Sequence, residues 1–295
     1  MSNKPRKMTL EKKHNLTGWA FLAPATFLIA VFSFWPMIKA LVLSFQTGKG
    51  RNMQMAGFTN YIRMFQDDVF LQSIKNTFFY FILQVPIMLV VAMVLACILN
   101  KKDLRFKGFF RTMIFLPCTT SLVAYAIIFR SLFANDGNYV LVNLGILDKP
   151  YNFLTQPFAA KMVIILALLW RWTGYNMVFF LSGLQNIEYS VYEAAKIDGA
   201  SAIQTFFKIT VPLLKPTILL TAIMSTNGTL QLFDESINLT DGGPANASIS
   251  MSHYIYNLCF KYVPNFGYAA AMSFFILLLV AVLAFIQMRV GDKRD

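Results

Sequence analysis

The sequence predicts an all-α fold, a polytopic transmembrane bundle of about six spans. Three features predict it. Of 295 residues, 57% are apolar and 14% charged, whereas an ordinary soluble domain is about 45–50% apolar and about 25% charged. Uncharged runs close to the roughly 20 residues that cross a bilayer recur along the chain. Every Asp and Glu lies at or beyond an end of one of those runs. So much apolar surface is tolerated only where lipid is the solvent, which rules out a soluble enzyme. A formal charge of +12 would suggest nucleic acid in a soluble protein. Here long uncharged segments separate the bases, so a lipid bilayer is the expected partner and nucleic acid is not.

The runs fall at residues 18–41, 78–99, 112–129, 162–184, 217–233 and 266–288. They define a membrane domain over 18–288 between a tail at 1–17 and a tail at 289–295. The first run follows a polar tail, exceeds a signal-peptide core, carries Pro24 and Pro36 and lacks a small-residue cleavage site, so it reads as a retained span. The second and sixth carry no charge; the third is bracketed by Arg111 and Arg130; the fourth contains Arg171; the fifth is the most polar. Loops at 46–77, 131–161 and 234–265 are long by loop priors and mix aromatic with polar residues, which short surface helices would explain.

Basic residues orient the bundle. Lys4, Arg6, Lys7, Lys12 and Lys13 precede the first span, and Lys101, Lys102, Arg105, Lys107 and Arg111 follow the second. Lys196, Lys208 and Lys215 lie between the fourth and fifth, and Arg289, Lys293 and Arg294 end the chain. These hold the larger share of the 26 bases, so the positive-inside rule puts both termini in the cytoplasm.

On the same side runs the segment 185–215. Ser190 stands three residues before Glu193, and Ser201 three before Gln204; each pair fits a capping box. Gly199 lies between them, where a helix end favours a residue able to take positive φ. Pro212 and Pro216 mark the entry to the fifth span. The sequence therefore writes two short helices joined by a glycine elbow, presenting Glu193, Lys196 and Asp198 beside Ile197 and Phe206. On this local pattern alone a plain interfacial linker fits as well as a docking surface.

Glu193-Ala194-Ala195, then Gly199, Ile209 and Val211-Pro212, resembles the EAA loop of permease subunits of bacterial ABC importers. That family has Leu where Val211 stands, a mild apolar departure. Ile197-Asp198-Gly199-Ala200 and Gly242-Gly243-Pro244 are similar to the carbohydrate branch, the maltose-type permeases. The resemblance extends over nearly the whole chain, including Phe115-Leu116-Pro117. Phe21-Leu22-Ala23-Pro24, Pro36 and Ser44-Phe45 look like the opening span of the first subunit of a permease pair.

The resemblance implies the type I ABC importer permease fold, a sugar substrate, and alternating access. It implies as partners a homologous second permease, two ATP-binding subunits and an extracytoplasmic sugar-binding protein, in a bacterial inner membrane. It makes Glu193, Ala194, Ala195, Asp198 and Gly199 the contacts that couple the spans to the ATPase. The chain has no GxxxxGK[ST] phosphate loop, so it is not expected to hydrolyse ATP or to need a cofactor.

Polar side chains within spans normally face protein or a water-filled cavity. The fourth span offers Trp172, Tyr175 and Asn176, and the fifth Ser225, Asn227, Gly228, Thr229 and Gln231. Uncharged hydrogen-bonding groups beside aromatic faces suit a sugar. The same side chains also serve as glue between membrane helices. The resemblance places a substrate site near Ser225, Gly228, Thr229 and Leu232, although Leu232 offers no polar contact. Arg171 costs at least about 2.5 kcal/mol at mid-membrane depth and should be paired or hydrated, with Asp234 and Glu235 as candidate partners.

His14 and His253 have no second ligand at metal spacing, and a satisfied or solvated role is expected for each. Cys97, Cys118 and Cys259 show no CxxC spacing and read as buried small residues, not a disulfide framework or a metal site. An ion-coupled secondary sugar transporter is the alternative, but such proteins usually carry carboxylates in mid-span. An intramembrane enzyme would need an acid, base or nucleophile cluster that the spans lack.

Overall fold

The computed structural model describes residues 9–49, 52–101, 103–134, 142–145, 148–149 and 151–291. Four helices are long and apolar enough to cross a membrane: α1 (Leu10–Ser44), α3 (Asp68–Asn100), α6 (Pro157–Gln185) and α11 (Phe266–Gly291). Two helix pairs are each bent sharply, α4 (Lys107–Thr119) with α5 (Leu122–Phe133) by 96°, and α8 (Ala202–Leu213) with α9 (Lys215–Leu230) by 71°. Counting each pair as one span brings the described residues to six. Short helices among the described residues include α2 (Thr59–Met64), α7 (Tyr189–Ile197) and α10 (Met251–Tyr256).

The centre of the bundle is the pair α3 and α6, the two most extensively packed elements. α4 lies along α6, and α9 fits between α3 and α11. Gly174 makes the α4–α6 approach possible, because a Cβ there would run into the Ile114 carbonyl and lie 3.0 Å from Phe115 Cα. Three apolar clusters fill the bundle. One joins Met64, Phe70, Met251, Tyr268 and Met272; the next joins Tyr80, Tyr125, Ile164 and Leu168; the third joins Ala92, Ala96, Phe180 and Leu184. Outside them, α1 presents Trp19, Phe21, Phe27 and Phe32 outward, an apolar surface that lipid or a neighbouring helix solvates.

The helices differ from the expected runs where caps and breaks overrule hydropathy. α3 begins at Asp68, ten residues before the apolar run, because the Asp67 carboxylate accepts from Val69 N and Phe70 N at 3.0 and 3.1 Å. Its other oxygen accepts from the Tyr254 and Tyr268 hydroxyls at 2.7 and 2.8 Å, tying α3 to α10 and α11. The third run, 112–129, is not one rod: Thr120 and Ser121 are extended, and the chain turns there. α9 stops at Leu230, before the end of the fifth expected run at Phe233.

The loop at 46–77 is not wholly helical. Gln46–Lys49 and Asn52–Met55 form an antiparallel hairpin (β1, β2) pairing Gln46 with Met55, a small departure from the all-α expectation. Asn60 fastens it by donating to the Ser44 and Gln46 carbonyls at 2.9 and 2.8 Å. Short helices do occupy parts of the loops expected to face outward, α2 in the first and α10 in the third.

Candidate functional site

Between α3, α5, α6 and α9 lies a cavity of about 300 Å³, at the lower end of the range for ligand sites. Of the eight substrate-path residues singled out in the sequence, Trp172, Tyr175, Asn176, Ser225, Gly228, Thr229 and Gln231 line it. Asn227 does not; its Oδ1 accepts from Gln231 Nε2 and so backs a lining residue. Leu232 lines the wall as an apolar surface.

The polar groups are cross-connected between helices. Thr229 Oγ1 on α9 donates to Gln84 Oε1 on α3 at 2.7 Å. Ser225 Oγ lies 3.4 Å from Asn176 Oδ1, and Asn176 Nδ2 donates to the Trp172 carbonyl at 3.1 Å. Trp172 and Tyr175 meet edge to face with centroids 5.8 Å apart. The cavity thus combines uncharged hydrogen-bonding groups with aromatic surface. Gln84 and Met88 on α3 also line it and were missed. The single amide in an otherwise apolar span was the available signal.

Asp234 and Glu235 close one end. Neither forms an ion pair with Arg171, contrary to the expected pairing. Arg171 is buried; its Nη1 donates to the Thr120 carbonyl at 2.8 Å, and its Nη2 reaches the Cys118 carbonyl at 3.5 Å. Its guanidinium also stacks over Tyr125 at 4.8 Å and Trp172 at 5.3 Å. The cation therefore serves the carbonyls freed by the break between α4 and α5. It makes no contact with Glu235, on which its charge acts through space; the Tyr125 hydroxyl, beside the guanidinium, hydrogen-bonds that carboxyl group.

The segment after α9 forms a serine-rich cap. Ser250 Oγ donates to the Leu232 carbonyl, Ser236 Oγ lies 2.9 Å from His253 Nδ1, and Tyr80 donates to the Ser248 carbonyl at 2.9 Å. Asn76 on α3 donates to the Asn246 and Ile249 carbonyls, so the cap is fastened to the central pair. Gly242, at φ +76°, leaves only 3.3–3.4 Å between a would-be Cβ and Ile249 or His253, which accounts for glycine in Gly242-Gly243-Pro244. His253 is neither solvated nor fully satisfied: it is buried, its Nε2 has no hydrogen bond, and Asp241 Oδ1 stands 3.7 Å away. Among the described residues no group of His, Cys, Asp or Glu could hold a metal ion.

At the other end, α7 and α8 form the expected two-helix elbow. Gly199 takes φ +72°; its N–H donates to the Lys196 carbonyl at 3.1 Å and that of Ala200 to the Ala195 carbonyl at 2.9 Å, the double closure of a Schellman end. Ser201 and Gln204 form the second capping box, at 3.3 and 2.9 Å. The first box is absent. α7 starts one residue before Ser190, with Glu188 at the N-cap, and the Ser190 hydroxyl bonds the Glu188 carboxylate instead. Glu193, Ala194, Asp198 and Gly199 are exposed, but Ala195 is 5% exposed and packs inward. Phe206 joins the inner apolar cluster, leaving Ile197, Ile203 and Phe207 as the outward ridge.

A cavity that sets hydrogen-bonding groups among apolar and aromatic walls within a helical bundle, with a capped helix pair and a fastened cap outside it, fits a membrane transport subunit. The chain belongs to the family of binding-protein-dependent transport system inner membrane components, whose model matches residues 68–294. It is 51% identical to the lactose transport system permease protein LacF of Rhizobium radiobacter, over 98% of each chain. It is 32% identical to the multiple sugar-binding transport system permease protein MsmF of Streptococcus mutans serotype c, over 97% of this chain and 99% of that one. A chain of a bacterial alginate ABC transporter, solved with a periplasmic protein carrying an alginate pentasaccharide, superposes with a TM-score of 0.82 at 23% identity over 98% of both chains. The protein is therefore a multi-pass inner-membrane permease subunit of an ABC importer and not itself an enzyme. Membership in this family sets aside the ion-coupled alternative.

Proposed function

We propose that this subunit carries sugars, with the cavity between α6 and α9 as its part of the path. The carrying observation is the pairing, inside one cavity, of cross-connected amides and hydroxyls with the Trp172–Tyr175 edge. A saccharide needs both: hydroxyls want donors and acceptors, and its CH faces stack on rings. The lactose and multiple-sugar roles named for the relatives support a small neutral or oligomeric sugar.

The exposed ridge of Ile197, Ile203 and Phe207 with Glu193, Ala194, Asp198 and Gly199 is the surface that meets an ATP-binding subunit, while Ala195 anchors the pair to the bundle. An apolar helix face with fixed ends fits a groove and transmits displacement. A second permease, two ATP-binding subunits and an external sugar-binding protein complete the transporter. Both termini lie in the cytoplasm with residues 185–215, leaving β1, β2, α2 and α10 outside.

Radiolabelled disaccharide uptake into proteoliposomes holding the whole transporter tests this. Uptake that needs ATP and is lowered at least about tenfold by Asn176→Ala with Thr229→Val is the expected result. Full uptake in that double variant would remove the cavity from the path.

A further inference from the structure

The cavity has an electrostatic sign. No Lys or Arg lines it, whereas Asp234 and Glu235 both do. Arg171 stands nearby and acts on Glu235 through space, but its guanidinium donates to the Thr120 and Cys118 carbonyls and lies over the rings of Tyr125 and Trp172. It neutralises neither carboxyl group by direct contact.

The two acids are not equivalent. Glu235 is buried, and its carboxyl group is engaged by the Tyr125 hydroxyl, so it is held in the wall. Asp234 is only half-buried, and its side chain makes no hydrogen bond or ion pair with any described residue; only its main-chain carbonyl is used, by Asn238 at 2.8 Å. A free carboxyl group beside Gln231 and Phe233 is available to accept from sugar hydroxyls. The same group repels an anion brought to the same place.

We infer that Asp234 is a specificity-determining residue that admits uncharged saccharides and rejects anionic ones such as uronates. This rests on the cavity's being the sugar path. A negative group a few ångströms from a substrate carboxylate disfavours it even with water between, and more so where lipid and protein exclude water. Rejection by repulsion complements attraction: the neutral sugar finds an acceptor where the acid meets a like charge.

The test is binding by the intact transporter in detergent, without the external binding protein, so that only the membrane subunits select. Equilibrium dialysis compares a radiolabelled neutral disaccharide with its uronate counterpart, in which one CH2OH is a carboxylate. The expected preference for the neutral sugar is at least about fivefold in the wild type. It shrinks in Asp234→Asn and inverts in Asp234→Lys. A wild-type ratio near unity, or a ratio unmoved by both substitutions while the neutral sugar binds, overturns the filter. Binding of neither saccharide by the wild type overturns the sugar path itself, and the filter with it.

Discussion

Arg171 of α6 donates to the main-chain carbonyl of Thr120 at 2.8 Å, across the break where α4 turns 96° into α5. Helix ends leave carbonyls without partners, and in a membrane no water is available to satisfy them. Removing the guanidinium therefore does more than delete a charge. Arg171→Gln should lower stability by about 1.5–3 kcal/mol, the range for hydrogen bonds to charged groups. Arg171→Lys should recover part of that, since an ammonium can reach one carbonyl but cannot fork to two. Thermal unfolding of the purified transporter measures both, and equal midpoints for wild type and Arg171→Gln would show that the bend holds itself.

Gly174 sets the distance between α4 and α6. A methyl group there meets the Ile114 carbonyl, which is backbone and cannot swing aside. Gly174→Ala should destabilise at the upper end of the roughly 1–3 kcal/mol typical of overpacking, by pushing α4 off α6. By contrast, Gly228→Ala has open space around its Cβ and should leave stability unchanged within about 0.5 kcal/mol. The two variants, compared by the same melting assay, separate helix approach from a general intolerance of alanine.

Spans were legible because lipid imposes a long uninterrupted apolar run, a signal that survives without any knowledge of packing. The cores of α3, α6 and α11 were accordingly anticipated. The bend at Thr120 was not, although Pro117 and the run Thr119-Thr120-Ser121 sit in the middle of the third stretch; hydropathy averages over such a break. Seven of the eight residues expected on the path share one cavity because polar groups in adjacent spans turn toward one another away from lipid. The Arg171 partners were misjudged for a different reason. Main-chain carbonyls are absent from any residue-type pattern, so only the acids were visible as candidates. At Ser190 the capping pattern was present, but Glu188 enters first and α7 begins before it.

His253 gives the cap a pH dependence. Burial, against the opposing pull of Asp241 and with some help from Lys261, holds its pKa below the ordinary value. A base depressed in the folded state is neutral there at a pH where the unfolded chain already binds a proton. Stability is therefore unaffected well above about pH 6.5 and falls as pH drops through that value toward the folded-state pKa. Asp241, Ser236 and Phe233 face the ring, and Lys261 pairs with Asp241 at 2.9 Å outside it. Melting between about pH 8 and about pH 5 should show a decline in the wild type that His253→Gln reduces. An identical slope in both would assign the decline to other groups.

Gly199 distinguishes a mechanical elbow from a mere linker. Its φ of +72° closes α7, and a Cβ there would meet nothing within 4 Å, so any effect of substitution comes from the backbone alone. A β-branched residue resists that conformation, at about 1–2 kcal/mol, whereas Asn tolerates it because its short side chain bonds locally. If α7 and α8 transmit ATPase motion, Gly199→Val should let ATP hydrolysis proceed while sugar uptake falls several-fold, and Gly199→Asn should keep the two in step. The ratio of sugar transported to ATP hydrolysed, measured in proteoliposomes, reads the elbow directly, because a folding defect lowers both rates together and leaves their ratio fixed. A constant ratio across wild type, Val and Asn would mean that the exposed ridge moves without needing the shape Gly199 gives it.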